Sequence, residues 1–332
     1  MTANMNPVEQ PLVSVRNLEV AFKAGAKTVH ALNGVNLDVG RGEAVALIGE
    51  SGSGKSVTLR ALMRLHPPRR TRISGEMRVD GRDVLAMNAR ELAAMRGPVV
   101  SMVFQEPLLA LDPVYTVGRQ IEEMVRRHTG KSAAQARAQA LSLFERVRIP
   151  SPERRLQAYP HEMSGGMRQR AMIALALSCN PKVLLADEPT TALDATVQIQ
   201  ILLLLRELQR ELGLSIVFVT HDIGAASEIA DRVAVMYGGR IVEQGAMADL
   251  LRAPRHPYTL ALLKGRAHGA MQKGQRLETI PGSPPDLAAL PAGCSFAPRC
   301  NQAEARCLAA VPEIVPVAPG HEVRCVRVAR AA

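Results

Sequence analysis

A glycine-rich segment that ends in a lysine and a serine is the clearest chemical feature of the sequence. Its residues are Gly49, Glu50, Ser51, Gly52, Ser53, Gly54, Lys55 and Ser56. They fit the pattern G-x-x-x-x-G-K-[ST] and lie between a predicted buried strand, 43–48, and a predicted helix, 56–65. Backbone N–H groups of such a loop cradle phosphate oxygens, the lysine reaches the β- and γ-phosphates, and the serine ligates Mg²⁺. The segment, continued by Val57, predicts a nucleoside triphosphate site; a flexible Gly/Ser turn is the alternative.

Two carboxylates follow a second apolar strand, predicted over residues 183–186. At the end of this strand Asp187 is placed to hold the Mg²⁺ shell, and Glu188 to polarise an attacking water. His221 follows a strand predicted over 215–220, where it can reach a γ-phosphate or the same water. Acidic residues at strand ends are common, and a lone histidine is more often a surface or core residue. Combined with the glycine-rich loop, however, the three residues predict nucleotide hydrolysis.

A second candidate anion site precedes the helix predicted over residues 167–179. There Ser164, Gly165 and Gly166 present another set of backbone N–H donors suited to a phosphate. An ordinary helix cap with glycines is the alternative. One chain cannot easily bring two such cradles onto the same γ-phosphate, whereas a dimer that sandwiches the nucleotide can. The segment therefore predicts that two nucleotide-binding chains act together.

The elements that carry these residues alternate between strand and helix. The apolar pattern predicts strands at 12–20, 35–39, 43–48, 99–104, 183–186 and 215–220. Residues 117–158 are polar and helical in period, and a further long helix is predicted over 197–212. This alternation predicts an α/β fold with a mainly parallel sheet covered on both faces. From about residue 253, frequent prolines interrupt any long element, which indicates an appended region that needs another source of order.

Composition narrows the class of protein. Hydrophobic residues make up 47% and charged residues 22%, which are ordinary globular values. Aromatic residues make up only 3%, so stacking platforms for single-stranded nucleic acid are scarce. The net charge of +10 is spread over both parts of the chain, and we expect no nucleic-acid partner. No apolar stretch reaches the roughly 18 to 20 residues of a membrane-spanning helix and no signal peptide is evident, so we expect a cytosolic location.

Four of the five cysteines fall in the proline-rich end of the chain: Cys294, Cys300, Cys307 and Cys325. A reducing compartment favours metal binding or core packing over disulfides. The region has little apolar content to order it, so a metal site is the favoured interpretation and buried structural thiols are the alternative. Because the spacings are looser than those of tight C-x2-C zinc hairpins, they fit a [4Fe–4S] cluster or zinc without deciding between them.

In order and type, these motifs resemble an ATP-binding cassette (ABC) subunit. The resemblance covers roughly residues 12–250 and implies a P-loop NTPase core of ABC type, with a helical signature subdomain at about 106–170. It implies that ATP and Mg²⁺ bind at the glycine-rich loop. In this family Gln105 contributes to the Mg²⁺ site and senses both the γ-phosphate and the transmembrane partner, and Asp194 couples the two nucleotide sites. Phe22 is the candidate for stacking on adenine, although it could equally be a core residue.

Cassette proteins that act on DNA or ribosomes are the alternative class. Chromosome-maintenance types insert hundreds of coiled-coil residues between the phosphate loop and the signature, whereas about 108 residues separate Ser56 from Ser164 here. Translation types usually carry two complete motif sets in one chain, and this chain has one. The spacing therefore favours a transporter subunit over a soluble ATPase that acts on nucleic acid.

Residues 255–259 and 293–300 are similar to the C-terminal region of ATP-binding subunits of bacterial oligopeptide/dipeptide permeases. The resemblance implies a C-terminal extension, 251–332, that carries the four cysteines, and it favours the [4Fe–4S] cluster over Zn²⁺. It also implies peptide import, or in some members import of nickel or another small solute. The implied partners are two membrane permease subunits, a second ATP-binding subunit, identical or paralogous, and indirectly an extracytoplasmic solute-binding protein. Such a subunit is peripheral on the cytoplasmic face of the bacterial inner membrane.

Overall fold

Strands and helices alternate along the chain in the structure, a computed structural model that describes residues 10–25, 27–191, 193–265 and 280–328. The strands are β1 (Val13–Ala24), β2 (Lys27–Val39), β3 (Ala44–Ile48), β4 (Thr71–Val79), β5 (Arg82–Asp83), β6 (Val100–Val103), β7 (Val183–Asp187), β8 (Ser215–Thr220), β9 (Arg232–Tyr237), β10 (Arg240–Ala246), β11 (Val315–Ala318) and β12 (His321–Val323).

The α-helices are α1 (Lys55–Leu62), α2 (Ala89–Met95), α3 (Pro107–Ala110), α4 (Val117–Thr129), α5 (Ala133–Arg146), α6 (Pro152–Arg155), α7 (Gly165–Leu177), α8 (Ala195–Leu212), α9 (Ile223–Ile229), α10 (Met247–Arg252), α11 (Pro257–Lys264) and α12 (Ala305–Ala309). Short 3₁₀ helices form at Pro160–Glu162 and Ala297–Arg299. Among the described residues, no helix is both long enough and apolar enough to span a lipid bilayer.

The larger sheet holds the nucleotide site and has the strand order β11-β12-β10-β9-β3-β8-β7-β6. The strands from β9 to β6 pair in parallel, while β10, β11 and β12 extend the sheet in antiparallel fashion. Every residue of β3, β7 and β8 is buried. The predicted parallel sheet is confirmed for this central part, since strands buried on both faces read as continuous apolar runs.

The alternation of side chains along β3 shows how both faces of the sheet are covered. Ala44, Ala46 and Ile48 pack into one hydrophobic cluster together with the helical middle of the chain. Val45 and Leu47 point the other way, into a second cluster with the smaller sheet. That antiparallel sheet has the order β2-β1-β4-β5. The loop that follows β3 is thus fixed between two packed cores.

The first helix after β3 is shorter than the sequence predicts. A helix was expected over 56–65, up to the prolines, but α1 ends at Leu62, and Arg64 has a positive φ of 47°. Arg96 donates hydrogen bonds to the carbonyls of Met63 and Arg64 at 2.6 to 3.0 Å. A side chain from a distant helix therefore satisfies the carbonyls that a longer helix would have paired internally.

The helical middle of the chain is three helices rather than one continuous run. The first, α4, ends at Gly130, which adopts the left-handed conformation with φ 70°. A capping box then starts α5, because the Ser132 hydroxyl accepts from the backbone N–H of Gln135, whose side chain accepts from Ser132. The short α6 follows before Pro160. Local cap chemistry sets these breaks within the helical period that the sequence predicts.

The proline-rich end contributes two strands, β11 and β12, to the edge of the larger sheet. Glu243 of β10 pairs with Val323 of β12 in antiparallel register. Residues 266–279 of the predicted extension lie outside the described residues. The domain division at about residue 250 remains a prediction.

Candidate nucleotide site

The glycine-rich loop joins β3 directly to α1, as predicted. Gly49 has φ 152° and Gly54 has φ 106°. A Cβ added at Gly49 would lie 2.2 Å from the carbonyl oxygen of Met236, and one at Gly54 would lie 2.7 Å from Leu32. The two glycines therefore let the loop approach β9 and β2 more closely than any side chain allows.

A cavity of about 400 Å³ opens above this loop. Its lining residues are Ala31, Ser51, Gly52, Ser53, Gly54, Lys55, Ser56, Val57, Gln105, Glu188, His221 and Leu287. Most of the residues predicted for phosphate binding and hydrolysis thus face one space. Leu287, which the sequence did not indicate, comes from the proline-rich end. Its carbonyl accepts from the backbone N–H of His30 at 3.0 Å.

Lys55 forms the cationic floor of the loop. The side chain is buried, and its ammonium donates to the carbonyls of Gly49 and Glu50 at 2.8 and 2.9 Å. Burial lowers the pKa of Lys55, while the charges of Glu188, Asp187 and Glu50 act in the opposite direction. The ammonium is therefore held among acceptors at the base of the cavity, where anionic oxygens gain most from a positive charge.

Ser56 and Asp187 come together from α1 and β7. The Ser56 hydroxyl donates to the Asp187 carboxylate at 2.5 Å, and Asp187 is fully buried. Burial raises the pKa of Asp187, although the hydrogen bond from Ser56 and the charge of Arg60 oppose that rise. Arg60 approaches the other carboxylate oxygen at 3.5 Å. A hydroxyl and a carboxylate side by side are hard oxygen donors of the kind that Mg²⁺ prefers, so these residues fit the predicted ion.

Glu188 stands at the end of β7 with a positive φ of 46°. Its carboxylate accepts from the amide of Gln105 at 3.1 Å and from the hydroxyl of Thr191 at 2.8 Å. His221 Nδ1 lies 3.9 Å from the same carboxylate, which is beyond hydrogen-bond distance. Three predicted residues therefore converge. Thr191 was not predicted, although it lies one short turn after Glu188.

The amide nitrogen of Gln105 faces Glu188. That Gln105 also contributes to the Mg²⁺ shell remains a prediction.

The second candidate anion site forms separately from the cavity. Ser164 caps α7 by accepting from the backbone N–H of Met167 at 3.3 Å, and Asp194 caps α8 by accepting from Val197 at 2.9 Å. A Cβ at Gly165 would touch Leu193, and one at Gly166 would lie 2.9 Å from Val197. Within the described part of the chain, none of these residues lines the phosphate cavity.

Phe22 lies at the far end of β1, beside the start of α1. Its ring packs edge-on against His66 with centroids 5.1 Å apart, and His66 Nε2 lies 3.1 Å from the carbonyl oxygen of Val57. Phe22 is half-buried against the core of the smaller sheet. It does not line the phosphate cavity described above. Stacking on adenine remains a prediction for this residue.

The four cysteines of the proline-rich end all line one small cavity of about 20 Å³: Cys294, Cys300, Cys307 and Cys325. Burial raises the pKa of Cys294, Cys300 and Cys325, and the charge of neighbouring cysteines adds to the rise. A protonated thiol is a poor metal ligand, so a bound metal would have to hold these groups as thiolates.

The predicted metal site is not supported by this arrangement. Across the four described stretches of the chain, no group of three or more His, Cys, Asp or Glu side chains forms a possible metal site. A cavity of about 20 Å³ has room for roughly one water molecule. The structure brings the four cysteines to one cavity, but among the described residues they do not form the arrangement of a metal site.

A phosphate loop after β3, the hydrogen-bonded pair of Ser56 in α1 and the buried Asp187 in β7, and Glu188 just after β7 define a P-loop nucleotide hydrolase site. Two sequence families match the chain. Residues 32–191 match the ABC transporter family, and residues 242–307 match the C-terminal region of oligopeptide/dipeptide transporters.

Relatives that match over nearly their whole length support the same family. A putative peptide import ATP-binding protein of Brucella melitensis is 49% identical over 96% of this chain and 97% of its own length. A probable peptide ABC transporter ATP-binding protein of Sinorhizobium fredii is 46% identical over 98% of both chains. The chain therefore belongs to the ABC transporter ATP-binding proteins of the oligopeptide/dipeptide transporter family. The activity of this class is ATP hydrolysis coupled to transport.

Solved structures agree on the fold of the core. The dimeric ATP-binding cassette MJ0796, in a post-hydrolysis state with ADP and phosphate, matches with a TM-score of 0.64 and 32% identity. The match covers 71% of this chain and 98% of that one. The protein cbiO1 of Clostridium perfringens, part of the ABC transporter complex cbiONQ, matches with a TM-score of 0.63 and 28% identity over 74% of this chain and 92% of that one. The predicted ABC fold is confirmed.

Proposed function

We propose that this protein is the ATP-hydrolysing subunit that energises a bacterial importer of di- and oligopeptides. One observation carries the proposal: the phosphate cavity lined by the glycine-rich loop, Gln105, Glu188 and His221 stands in the same chain as a match to the oligopeptide/dipeptide transporter C-terminal region. The relatives named as peptide import proteins support the peptide substrate. The proposed domains are an ATP-binding core, 12–250, whose helical subdomain spans about 106–170, and a C-terminal extension, 251–332.

The site residues divide the chemistry among them. The loop amides and Lys55 hold the phosphates, while Ser56 and Asp187 hold Mg²⁺, which neutralises charge on the β- and γ-phosphates when bound. Glu188 accepts a proton as the water oxygen attacks the γ-phosphorus and the bond to the ADP oxygen breaks. His221 steadies the γ-phosphate or the water, and Gln105 orients the Glu188 carboxylate by its hydrogen bond.

A second ATP-binding subunit completes the site in this proposal. Ser164, Gly165 and Gly166 lie apart from the phosphate cavity of their own chain, so they are available to the nucleotide of a partner. Asp194 couples the two sites from the start of α8, and Phe22 stacks on adenine. The partner is an identical copy or a paralogue.

The membrane subunits dock, we propose, on an apolar groove of about 350 Å³ between α1 and the helical middle of the chain. Part of its wall is formed by Leu65, Phe104, Met124, Met172 and Leu175. Nearby, Leu108 and Leu109 are 53% and 83% exposed. Exposed apolar surface next to an apolar groove is typical of a protein interaction site. Gln105 directly follows Phe104, so a helix of a membrane subunit seated here contacts the segment that touches Glu188. The subunit would then be peripheral on the cytoplasmic face of the inner membrane.

The cysteine quartet keeps a proposed metal role, with a [4Fe–4S] cluster favoured and Zn²⁺ as the alternative. The chemistry of the donor set supports it, since four thiols around one point are a ligand set for either group. Iron, acid-labile sulfide and zinc should be measured on protein purified without oxygen, for wild type and for Cys300→Ser. About four irons and four sulfides per chain, lost in the variant, support the cluster, whereas absence of metal makes the four residues packing thiols.

Uptake measurements test the function itself. Vesicles that carry the membrane subunits, the binding protein and this chain should accumulate a labelled dipeptide when ATP is present on the side of this chain. The Glu188→Gln variant should abolish uptake. Accumulation of ⁶³Ni²⁺ in place of peptide would make the protein a metal importer subunit. ATP turnover stimulated only by nucleic acid would contradict a transport role.

A further inference from the structure

Arg299 is a buried arginine in the proline-rich end whose five N–H donors all have partners. The side chain is only 5% exposed. Nε donates to the carbonyl of Pro281 at 2.8 Å, Nη1 donates to Glu50 and to the hydroxyl of Tyr237, and Nη2 donates to Glu50 and to the carbonyl of Ile280. A guanidinium is the one side chain that offers five donors in a fixed plane. The site is therefore built for arginine.

The shared partner of this arginine lies in the phosphate loop. Arg299 donates hydrogen bonds to both carboxylate oxygens of Glu50, at 2.6 and 3.0 Å, although 249 positions separate the two residues in the sequence. Such a bidentate pair fixes orientation as well as distance. Favourable contacts with Glu50 and Tyr237 outweigh the effect of burial and raise the pKa of Arg299. The guanidinium is therefore charged where it meets the Glu50 carboxylate.

Glu50 is held at three points, and the third is the phosphate-binding lysine, Lys55. Its backbone N–H donates to the hydroxyl of Tyr258, in α11, at 2.8 Å. Its carboxylate is held by Arg299, and its carbonyl accepts from Lys55 at 2.9 Å. Two of the three anchors thus come from residues beyond 250, outside the strands and helices that build the loop. Around them, the rings of Tyr237, Tyr258 and Phe296 pack in tilted and edge-on contacts with centroids 4.6 to 5.3 Å apart.

We propose that Arg299 is a positioning residue for ATP binding, which sets the geometry of the phosphate loop through Glu50. The extension then acts as a brace on the nucleotide site, in addition to any role of its cysteines. This inference rests on the ATP site proposed above. The Arg299–Glu50 pair acts on the loop that receives the phosphates and does not contact Glu188. Loss of the pair should therefore weaken ATP binding more than it slows hydrolysis.

The test compares Arg299→Gln, Arg299→Lys and Glu50→Gln with wild type in the full chain. Arg324→Gln is the matched control, because Arg324 also ties the extension to the core but, among the described residues, donates to the carbonyls of Ile241 and Pro312 and not to the phosphate loop. The measurements are Kd for ATP with Mg²⁺, KM, kcat and the thermal unfolding midpoint.

We expect Kd and KM to rise about 10- to 100-fold in Arg299→Gln, with kcat within about threefold of wild type. Arg299→Lys should raise Kd and KM by an intermediate amount, since lysine keeps the positive charge but lacks the paired N–H donors of the guanidinium. The double variant Glu50→Gln/Arg299→Gln should bind ATP no worse than either single variant, because the two residues act as one unit.

An unchanged Kd in a folded Arg299→Gln protein would overturn the proposal. So would an equal loss of affinity in Arg324→Gln, since that loss would reflect general loosening of the extension. If Arg299→Gln does not fold, Glu50→Gln decides, because its side chain is partly exposed and leaves the arginine in place. Failure of the wild type itself to bind ATP would instead refute the proposed function.

Discussion

The nucleotide-binding core and the proline-rich extension are ordered by different kinds of interaction. The strands β3, β7 and β8 are buried along their whole length and consist mainly of apolar residues. In the extension, by contrast, buried polar side chains that form hydrogen bonds carry much of the order: His256, Arg299 and His321. Apolar burial is tolerant of small changes in geometry, whereas a buried polar group must keep its partners. We therefore expect that the loss of a single polar contact destabilises the extension.

Glu243 shows this polar order most clearly. It is fully buried on β10 and accepts from the backbone N–H groups of Arg255 and His256 at 2.7 and 2.9 Å. The imidazole of His321, in β12, lies 2.8 Å from the same carboxylate. One carboxylate of the core thus fastens two separate segments of the extension.

The largest effect should come from the core. Replacing Glu188 with Gln removes the proton acceptor but keeps the hydrogen bond to Gln105 possible, so ATP should still bind. We expect phosphate release to fall about 10²- to 10⁴-fold, with nucleotide trapped in a closed dimer. Steady-state phosphate release and size-exclusion chromatography with ATP measure both effects, and Glu123→Gln on the exposed face of α4 is a suitable control. Appreciable turnover in Glu188→Gln would remove its catalytic role.

The next largest effect should lie in the extension. Changing His321 to Phe leaves the buried Glu243 carboxylate short of one partner, which should cost about 2 to 3 kcal/mol of unfolding free energy in urea. The control is Arg148→Gln, which breaks an ion pair to Glu207 whose side chains are 60% and 41% exposed. Exposed pairs contribute about 0 to 1 kcal/mol. Equal losses in the two variants would contradict the contrast between the regions.

Acid should destabilise the protein through His256. Complete burial lowers the pKa of His256 to about 3 from its ordinary 6.5. Below pH 6.5 the unfolded chain gains a proton that the folded chain does not bind, so stability present above pH 6.5 is lost as the pH falls toward 3. The slope from this group is about 1.4 kcal/mol per pH unit. Urea titrations from pH 7 to 4 should show a shallower slope in His256→Asn, which keeps a side-chain acceptor for the backbone N–H of Tyr258.

A smaller effect should follow from Thr191, a residue of the site that the sequence analysis did not predict. Changing it to Val removes one hydrogen bond to Glu188 without changing the volume of the side chain. We expect kcat to fall about fivefold, with KM for ATP nearly unchanged. Thr191→Ser keeps the hydroxyl and should restore turnover. A rise in KM in place of the fall in kcat would assign Thr191 to ATP binding.

Most of the central sheet was predictable from sequence, because continuous apolar runs mark strands buried on both faces. The expected strands at 43–48, 183–186 and 215–220 match β3, β7 and β8 within a residue or two. The β9–β10 hairpin was missed, although Gly238 and Gly239, both at positive φ, gave a usable turn signal. The strands of the extension had no local signal, since their pairing depends on β10.

The residues of the nucleotide site likewise divide into those that the sequence predicts and those that it cannot predict. The residues that the motifs supplied, such as Lys55, Asp187 and Glu188, lie near one another because parallel strands end at the same edge of the sheet. Leu287 and Arg299 could not be predicted to reach the phosphate loop, because more than 200 residues separate them from it. The cysteines were predicted to meet, and they do line one cavity, but the metal geometry expected from their spacing is absent from the described residues.

Phosphate release by the reconstituted transporter, with and without peptide-loaded binding protein on the opposite face of the membrane, shows whether this chain couples ATP hydrolysis to peptide import. We expect slow ATP turnover that peptide-loaded binding protein stimulates and that disappears in Glu188→Gln. ATP turnover that is indifferent to the loaded binding protein, or that persists in Glu188→Gln, would contradict this coupling.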